Sequence, residues 1–296
     1  MQNCPGRSAR ELRRSKAIMN SSVAQLELAA NTIRRDIVDI AYLAGGPSHP
    51  GPALSCADIV TALYYRIMDI DPSQPARADR DRLVLSKGHA CPVIYSALAE
   101  RGYFPKEWLT TIRRLNSRLQ GHPDMTKTPG VDMTSGSLGN GLSAALGMAI
   151  YLKHLRLRSQ VYCIIGDGEM QEGTVWEAVL SAQKLGADNL TAIVDCNHLQ
   201  SCGSVPEIMP TPNMARIWED FGWNVETING HDMAQIVSAL EMARDYRGKP
   251  TCIIANTVKG KGVSFMEGDN SWHQKKPTKA EYETAVRELE EERACL

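Results

Sequence analysis

Two short segments carry side chains suited to one hard cation. Gly166-Asp167-Gly168-Glu169 closes an apolar run, and Asp195-Cys196-Asn197 closes a second one. The Asp167 carboxylate and the Asn197 amide are oxygen donors, and Mg²⁺ takes about six such donors in near-octahedral order. With the backbone carbonyl of Leu199 as a third protein donor, places remain for two phosphate oxygens and water. Glycine beside the carboxylate lets a backbone N–H approach phosphate closely. Asp167, Asn197 and Leu199 are therefore the metal candidates, and the layout points to Mg²⁺ holding a diphosphate. Gly-Asp-Gly alone carries little weight, because strand-end turns use the same residues for backbone geometry. Its force comes from the ordered company of Glu172-Gly173, Trp176-Glu177-Ala178, Asn189-Leu190 and Asp195-Cys196-Asn197.

The elements around these segments must bring them together. Residues 161–165 and 190–194 are short apolar runs of strand formers, read as buried parallel strands. Between them Glu172 to Leu185 has helical spacing, with Val175, Ala178, Val179, Ala182 and Leu185 on one face and Gly186 as its stop. This is a βαβ unit, in which ligands collect at the carboxyl ends of the strands, where Asp167 and Asn197 fall. A helix is expected from Val23 to the Gly45-Gly46 stop, and Ser55 is expected to cap another through Tyr65. A strand over 81–86, helices over 91–100 and 106–115, and a helix after the glycine loop at 134–141 follow. Strands at 224–228 and 251–257 flank a helix over 233–246, and a last helix runs from 279 to 294. The expected architecture is a single α/β domain, a mostly parallel sheet flanked by helices, with a helical N-terminal extension.

Histidines 49, 89, 122 and 273 lie in loops containing Gly or Pro or beside Trp272, positions suited to contacts, and are the candidates for proton transfer. His154, His198 and His231 read as structural: a helix face, a loop beside the metal candidates, and the approach to a helix capped by Asp232. The composition is 43% hydrophobic and 23% charged with a net charge of −1, which excludes a strongly basic nucleic-acid or membrane-surface binder. No run is long enough to span a bilayer. The eight cysteines form no Cys-x-x-Cys pair and several fall in apolar strands, so buried free thiols in a reducing cytoplasm are expected. Residues 1–22, with Arg7, Arg10, Arg13, Arg14 and Lys16, form a basic arm expected to be flexible.

From 166 to 197 the chain resembles the thiamin diphosphate signature of transketolases, and the likeness extends over about residues 30–275. It includes Pro47-Ser48-His49-Pro50-Gly51, Leu85-Ser86-Lys87-Gly88-His89-Ala90, Gly121-His122-Pro123-Asp124, Thr134-Ser135-Gly136-Ser137-Leu138-Gly139-Asn140-Gly141, Lys259-Gly260-Lys261-Gly262 and Trp272-His273. Lys87, Ser137 and Gln274 depart from the commoner pattern. The resemblance implies a thiamin diphosphate-binding fold over 23–275, followed by a helical tail over 276–296, and transfer of a two-carbon ketol unit from a ketose phosphate to an aldose. It implies His49 and His273 near the reacting carbonyl, His89 at diphosphate and donor sugar, and His122 on substrate hydroxyls. His89, Gly136, Ser137, Leu138, Gly166, Asp167, Gly168, Glu169, Asn197 and His273 would hold the cofactor, with Gly136 admitting the aminopyrimidine and Leu138 packing on the thiazolium. Glu172 would join a carboxylate network across a subunit interface.

A single-chain transketolase is about twice this long, and its second half would carry the pyrimidine-binding domain with the glutamate that protonates the aminopyrimidine. The resemblance therefore implies the N-terminal subunit of a split enzyme, with a C-terminal partner subunit in an α₂β₂ heterotetramer. Three other functions compete with this reading. A 1-deoxyxylulose-phosphate synthase-like half-enzyme would accept pyruvate, but Trp272-His273 and the His122 loop favour a ketose donor. The α subunit of a 2-oxo acid dehydrogenase would lack the His89 and Lys259 segments. A non-catalytic relative would keep the fold without need of the four loop histidines.

Overall fold

The computed structural model describes residues 21–211 and 213–296. The basic arm lies outside them, save Ser21 and Ser22. Five strands form one parallel sheet: β1 (Arg82–Leu85), β2 (Val161–Gly166), β3 (Leu190–Cys196), β4 (Asn224–Asn229) and β5 (Thr251–Asn256), in the order β1-β2-β3-β5-β4. The helices that position the site are α1 (Val23–Leu43), α2 (Cys91–Glu100), α3 (Asn140–His154), α4 (Gly173–Lys184), α5 (Met233–Asp245) and α6 (Lys279–Cys295). Parallel strands need crossover connections, and α3, α4 and α5 are such crossovers.

The alternation along β2 accounts for the layering. Tyr162 and Ile164 face a core shared with α1, α2 and α5, whereas Val161, Cys163 and Ile165 face a second core built with α3 and α4. All five side chains are fully buried, which is why the run reads as continuously apolar rather than alternating. At roughly 25 cal/mol per Å² of apolar surface, each large side chain in these layers contributes about 1.5–3 kcal/mol. The register Gly166↔Asp195 and Cys196↔Asn256 aligns the carboxyl ends of β2, β3 and β5. The segments carrying Asp167, Asn197 and Thr257 leave the sheet side by side as a result.

Helix α1 begins with a capping box, in which the Ser22 hydroxyl accepts from the Gln25 amide while the Gln25 side chain accepts from the Ser22 amide. Helix α6 lies along α1. Asn31 donates to the Leu289 carbonyl at 2.9 Å and to Glu292 at 2.7 Å, and Tyr42 stacks on Tyr282 with ring centroids 4.3 Å apart. Glu172 caps α4 through its backbone, and Gly186, at φ +60°, follows the end of that helix as expected.

Leu185, expected on the buried face of α4, is instead its exposed C-cap, because the helix ends at Lys184. Two expected elements also fail. Residues 106–115 do not form an α-helix: a 3₁₀ segment ends at Thr111, and Arg113 and Asn116 adopt φ of +61° and +64°. Thr110 and Thr111 turn their hydroxyls back onto the carbonyls of Glu107 and Trp108, and the Ile112 carbonyl is taken by the Gly45 amide, so the helical ladder is displaced by other partners. Ser55 does not cap the following helix. That helix, Ala57–Ala62, starts from Cys56 and continues as a π turn over Leu63–Ile67, while the Ser55 hydroxyl reaches Asp195 at 2.5 Å.

Candidate active site

The carboxyl ends of β1, β2 and β3 open into a cavity of about 390 Å³. Into it face His49, His89 and His273, the strand-end residues Gly166, Asp167, Gly168 and Glu169, and Asn197 and Leu199 from the loop after β3. Gly136 and Leu138 form one edge and Glu172 another. His122 stands just behind, 6.5 Å from His49 between ring centroids, while His49–His89, His49–His273 and His89–His273 are 5.1, 5.6 and 5.1 Å apart. Four histidines separated by up to 224 positions thus meet over the strand ends. Ser137 is exposed and accepts from the Asn140 side chain at 2.8 Å without lining the cavity.

None of the four imidazoles is charged at neutral pH. Burial, then the neighbouring His273 and Arg113, depress His49 to about 3; burial and the Lys259 ammonium take His273 to about 4. Burial and Lys87 hold His89 well below its usual range, and burial with Arg113 lowers His122. A neutral imidazole offers one donor and one acceptor nitrogen. The Nδ1 atoms of His49 and His273 are buried without a hydrogen-bond partner and free for a ligand.

Asp167 is 2% exposed and pushed up to about 6 by burial and by the carboxylate of Asp195. Its two oxygens accept the Gly168 amide at 2.8 Å and the His198 amide at 2.5 Å. The Asn197 side chain is oriented by donating to Asp195 at 3.1 Å while its oxygen accepts the Leu199 amide, also at 3.1 Å. Asp167, Asn197 and Leu199 line one cavity and offer only oxygen donors, a chemistry that would suit Mg²⁺ rather than a soft metal, while the Leu199 carbonyl accepts from Lys259 at 3.2 Å.

Glu169 is not available as a free ligand. Its buried carboxylate accepts the Ser86 hydroxyl, the Gly139 amide at 2.8 Å and the Gly166 amide at 3.1 Å. One side chain therefore ties the His89 loop, the glycine loop and the end of β2 together. The Gly141 amide donates to the same Ser86 hydroxyl at 3.2 Å, and a Cβ on Gly141 would collide with the Ser86 side chain. Gly136, at φ +154°, leaves room for His122, whose ring a Cβ there would approach to 3.2 Å.

Sequence spacing gave no role to the charged group at the cavity floor. Asp195, fully buried, accepts from Lys87, Ser55, Thr257 and Asn197. Burial alone would lower Lys87 and raise Asp195, but their mutual attraction outweighs it in both, so the pair is ionised. Lys259, 1% exposed, donates to the carbonyls of Leu199 and Gln200 and to Asn270, and burial beside Lys87 brings it down to about 8. Both lysines fall inside recognised motifs, which was the available signal.

Residues 26–290 match the family described as transketolase, thiamine diphosphate binding domain. The chain belongs to the transketolase family. It is 46% identical over 277 residues to the 6-deoxy-6-sulfo-D-fructose transketolase subunit of Clostridium sp. (strain MSTE9), covering 93% of this chain and 100% of that protein. It is 42% identical over 273 residues to an apulose-4-phosphate transketolase subunit of Actinobacillus succinogenes, covering 92% and 99%. The transketolase of Campylobacter jejuni superposes with a TM-score of 0.81 at 32% identity, covering 94% of this chain and 48% of that one. This transketolase domain thus spans about half the length of the solved transketolases it matches, and nearly all of the two subunits. Among the described residues, no helix is long and apolar enough to cross a membrane.

Proposed function

We propose that this chain is the N-terminal subunit of a two-chain transketolase of the cytoplasm, dependent on thiamin diphosphate and Mg²⁺. It transfers a two-carbon ketol unit from an anionic ketose to an aldose acceptor. A second chain supplies the pyrimidine-binding domain, and two copies of each chain form an α₂β₂ assembly. The observation that carries this reading is the single cavity in which the oxygen donors of Asp167, Asn197 and Leu199 stand beside three uncharged imidazoles, with a fourth behind. The match to whole subunits supports the two-chain reading, and their names, which specify a sulfo-sugar and a sugar phosphate, support an anionic substrate.

The residues present fit the cofactor. A buried carboxylate beside a second carboxylate is suited to a divalent cation, and the unpartnered Nδ1 atoms of His49 and His273 are suited to polar substrate groups. When bound, thiamin diphosphate supplies the nucleophilic carbon and the electron-accepting ring that ketol transfer requires. Asp167, Asn197 and Leu199 would hold Mg²⁺, with Gly166, Gly168, His89 and His273 toward the diphosphate. Gly136 and Leu138 would flank the rings. As neutral imidazoles, His49 and His273 would each donate a hydrogen bond to the substrate carbonyl oxygen as negative charge develops there, and either could accept a proton at its other ring nitrogen. His122 would hold substrate hydroxyls. Glu169 positions three of these segments and touches no substrate, whereas exposed Glu172 at the amino end of α4 would meet the partner subunit.

The test is ketol transfer from a ketose phosphate, measured for this chain alone, for its co-purified second chain alone, and for the mixture. Activity in the mixture only is the expected result. Ordinary enzymatic rates from this chain alone would refute the split enzyme, and pyruvate decarboxylation by the mixture would turn the reading to the synthase-like alternative.

A further inference from the structure

Asn197 is flanked by two side chains that face elsewhere. Cys196 and His198 line a second cavity of about 460 Å³, which shares only Asp167 with the histidine-lined one. Cys196 is buried, His198 is exposed, and the His198 backbone is held at φ +61° while its amide donates to Asp167 at 2.5 Å. A carboxylate oxygen of Asp167, Cys196 Sγ and a His198 ring nitrogen all lie within 4.8 Å of one another, and Cys196 Sγ is 3.9 Å from His198 Nδ1. Around tetrahedral zinc, with Zn–S of about 2.3 Å and Zn–N of about 2.0–2.1 Å, such ligand atoms stand roughly 3.6 Å apart. Closing the thiol–imidazole gap therefore requires a few tenths of an ångström, and the exposed imidazole is free to move that far.

We propose that Asp167, Cys196 and His198 form a site for a borderline-soft divalent cation of the Zn²⁺ class, with its fourth position open to the second cavity. Sulfur and imidazole select such an ion over Mg²⁺, for which the all-oxygen set on the other side of Asp167 is the better match. Coordination replaces the thiol proton of Cys196, which leaves to solvent. Because Asp167 serves both sets, the softer ion competes with Mg²⁺ for that carboxylate and reports metal excess to the cofactor site. The binding site itself stands on the three side chains; the competition rests on the function proposed above.

Co²⁺ is the probe, titrated into the purified full chain without thiamin diphosphate. The expected result is a thiolate-to-cobalt charge-transfer band that saturates at one equivalent. The band should vanish in Cys196→Ser, persist in Cys202→Ser, and require roughly tenfold or more Co²⁺ in His198→Asn, a change at an exposed side chain. No thiolate band, or a band that survives Cys196→Ser, would overturn the site. Mg²⁺-dependent thiamin diphosphate binding is then measured with Zn²⁺ present. Inhibition in the wild-type chain that is relieved in Cys196→Ser is expected; a Cys196-dependent band without such inhibition would leave the site standing and overturn the competition.

Discussion

Replacing Lys87 by Met tests whether the cavity floor is an ion pair. In the native chain the Lys87 ammonium donates to Asp195 and, at 2.8 Å, to the Pro52 carbonyl, and both charged groups are 3% exposed or less. Lys87→Met keeps most of the volume but leaves the Asp195 carboxylate in the core with hydroxyl and amide donors only. Removing one partner of a buried pair costs about 3–5 kcal/mol. For a domain of this size, at roughly 2–3 °C per kcal/mol, the melting temperature of the purified chain should fall by about 6–15 °C. Lys87→Met with Asp195→Asn removes the isolated charge, and the double variant should recover at least about 1.5 kcal/mol relative to the sum of the single changes. Calorimetry of the four proteins at pH 7.5 gives the coupling energy. A loss under 2 °C for Lys87→Met, or additive single and double variants, would refute the claim that a buried charge pair organises this floor.

Three further outcomes follow from the same geometry. Asp167→Ala should weaken Mg²⁺-dependent thiamin diphosphate binding by the assembled enzyme by at least about 100-fold, roughly 2.8 kcal/mol, read by titration calorimetry; unchanged affinity would remove Asp167 from the metal set. Because His49 and His273 have folded pKa values of about 3 and 4, below their unfolded value, the unfolded chain binds more protons between those values and about 6.5. Stability of the cofactor-free chain should therefore be fully present above pH 6.5 and fall as pH drops through that window, by up to about 1.4 kcal/mol per pH unit per group. His49→Asn should flatten that slope in urea midpoints measured from pH 4.5 to 7.5. Gly141→Ala, whose Cβ would meet Ser86 Cα at 2.6 Å, should cost about 1–3 kcal/mol in urea unfolding; a change below 0.5 kcal/mol would mean the glycine loop yields easily.

Much of the fold was legible because its signals are local. β2 and β3 announce themselves as apolar runs of strand formers, since both faces of each strand are covered, and α4 shows its buried stripe between them. The site candidates were equally legible as motifs, and nine of the loop and strand-end residues named from the sequence line one cavity with Leu138, Leu199 and Glu172. What stayed hidden depends on long-range partners. Ser55 looks like a helix cap until it is seen that Asp195, 140 positions away, takes its hydroxyl. Asp195 reads as one letter of a motif, and only the fold brings Lys87, 108 positions before it, and Thr257, 62 after it, onto one carboxylate. The lost helix at 106–115 failed for the opposite reason. Its apolar spacing is acceptable, but threonine hydroxyls and a distant glycine amide claim the carbonyls the helix needs.

The three-way grip of Glu169 constrains how this site can evolve. Its two oxygens are already committed to Ser86, Gly139 and Gly166, segments separated by as many as 80 positions in the chain. Replacing Glu169 leaves the Gly139 and Gly166 amides without their acceptor, and replacing Ser86 removes one of the two donors to a buried carboxylate oxygen, so single steps at either side chain pass through a destabilised ancestor. Ser86, Glu169 and the glycine loop should therefore drift as a linked set, while residues facing the substrate remain free to diversify. New sugar preferences can arise on the cavity wall without disturbing the frame that holds the cofactor.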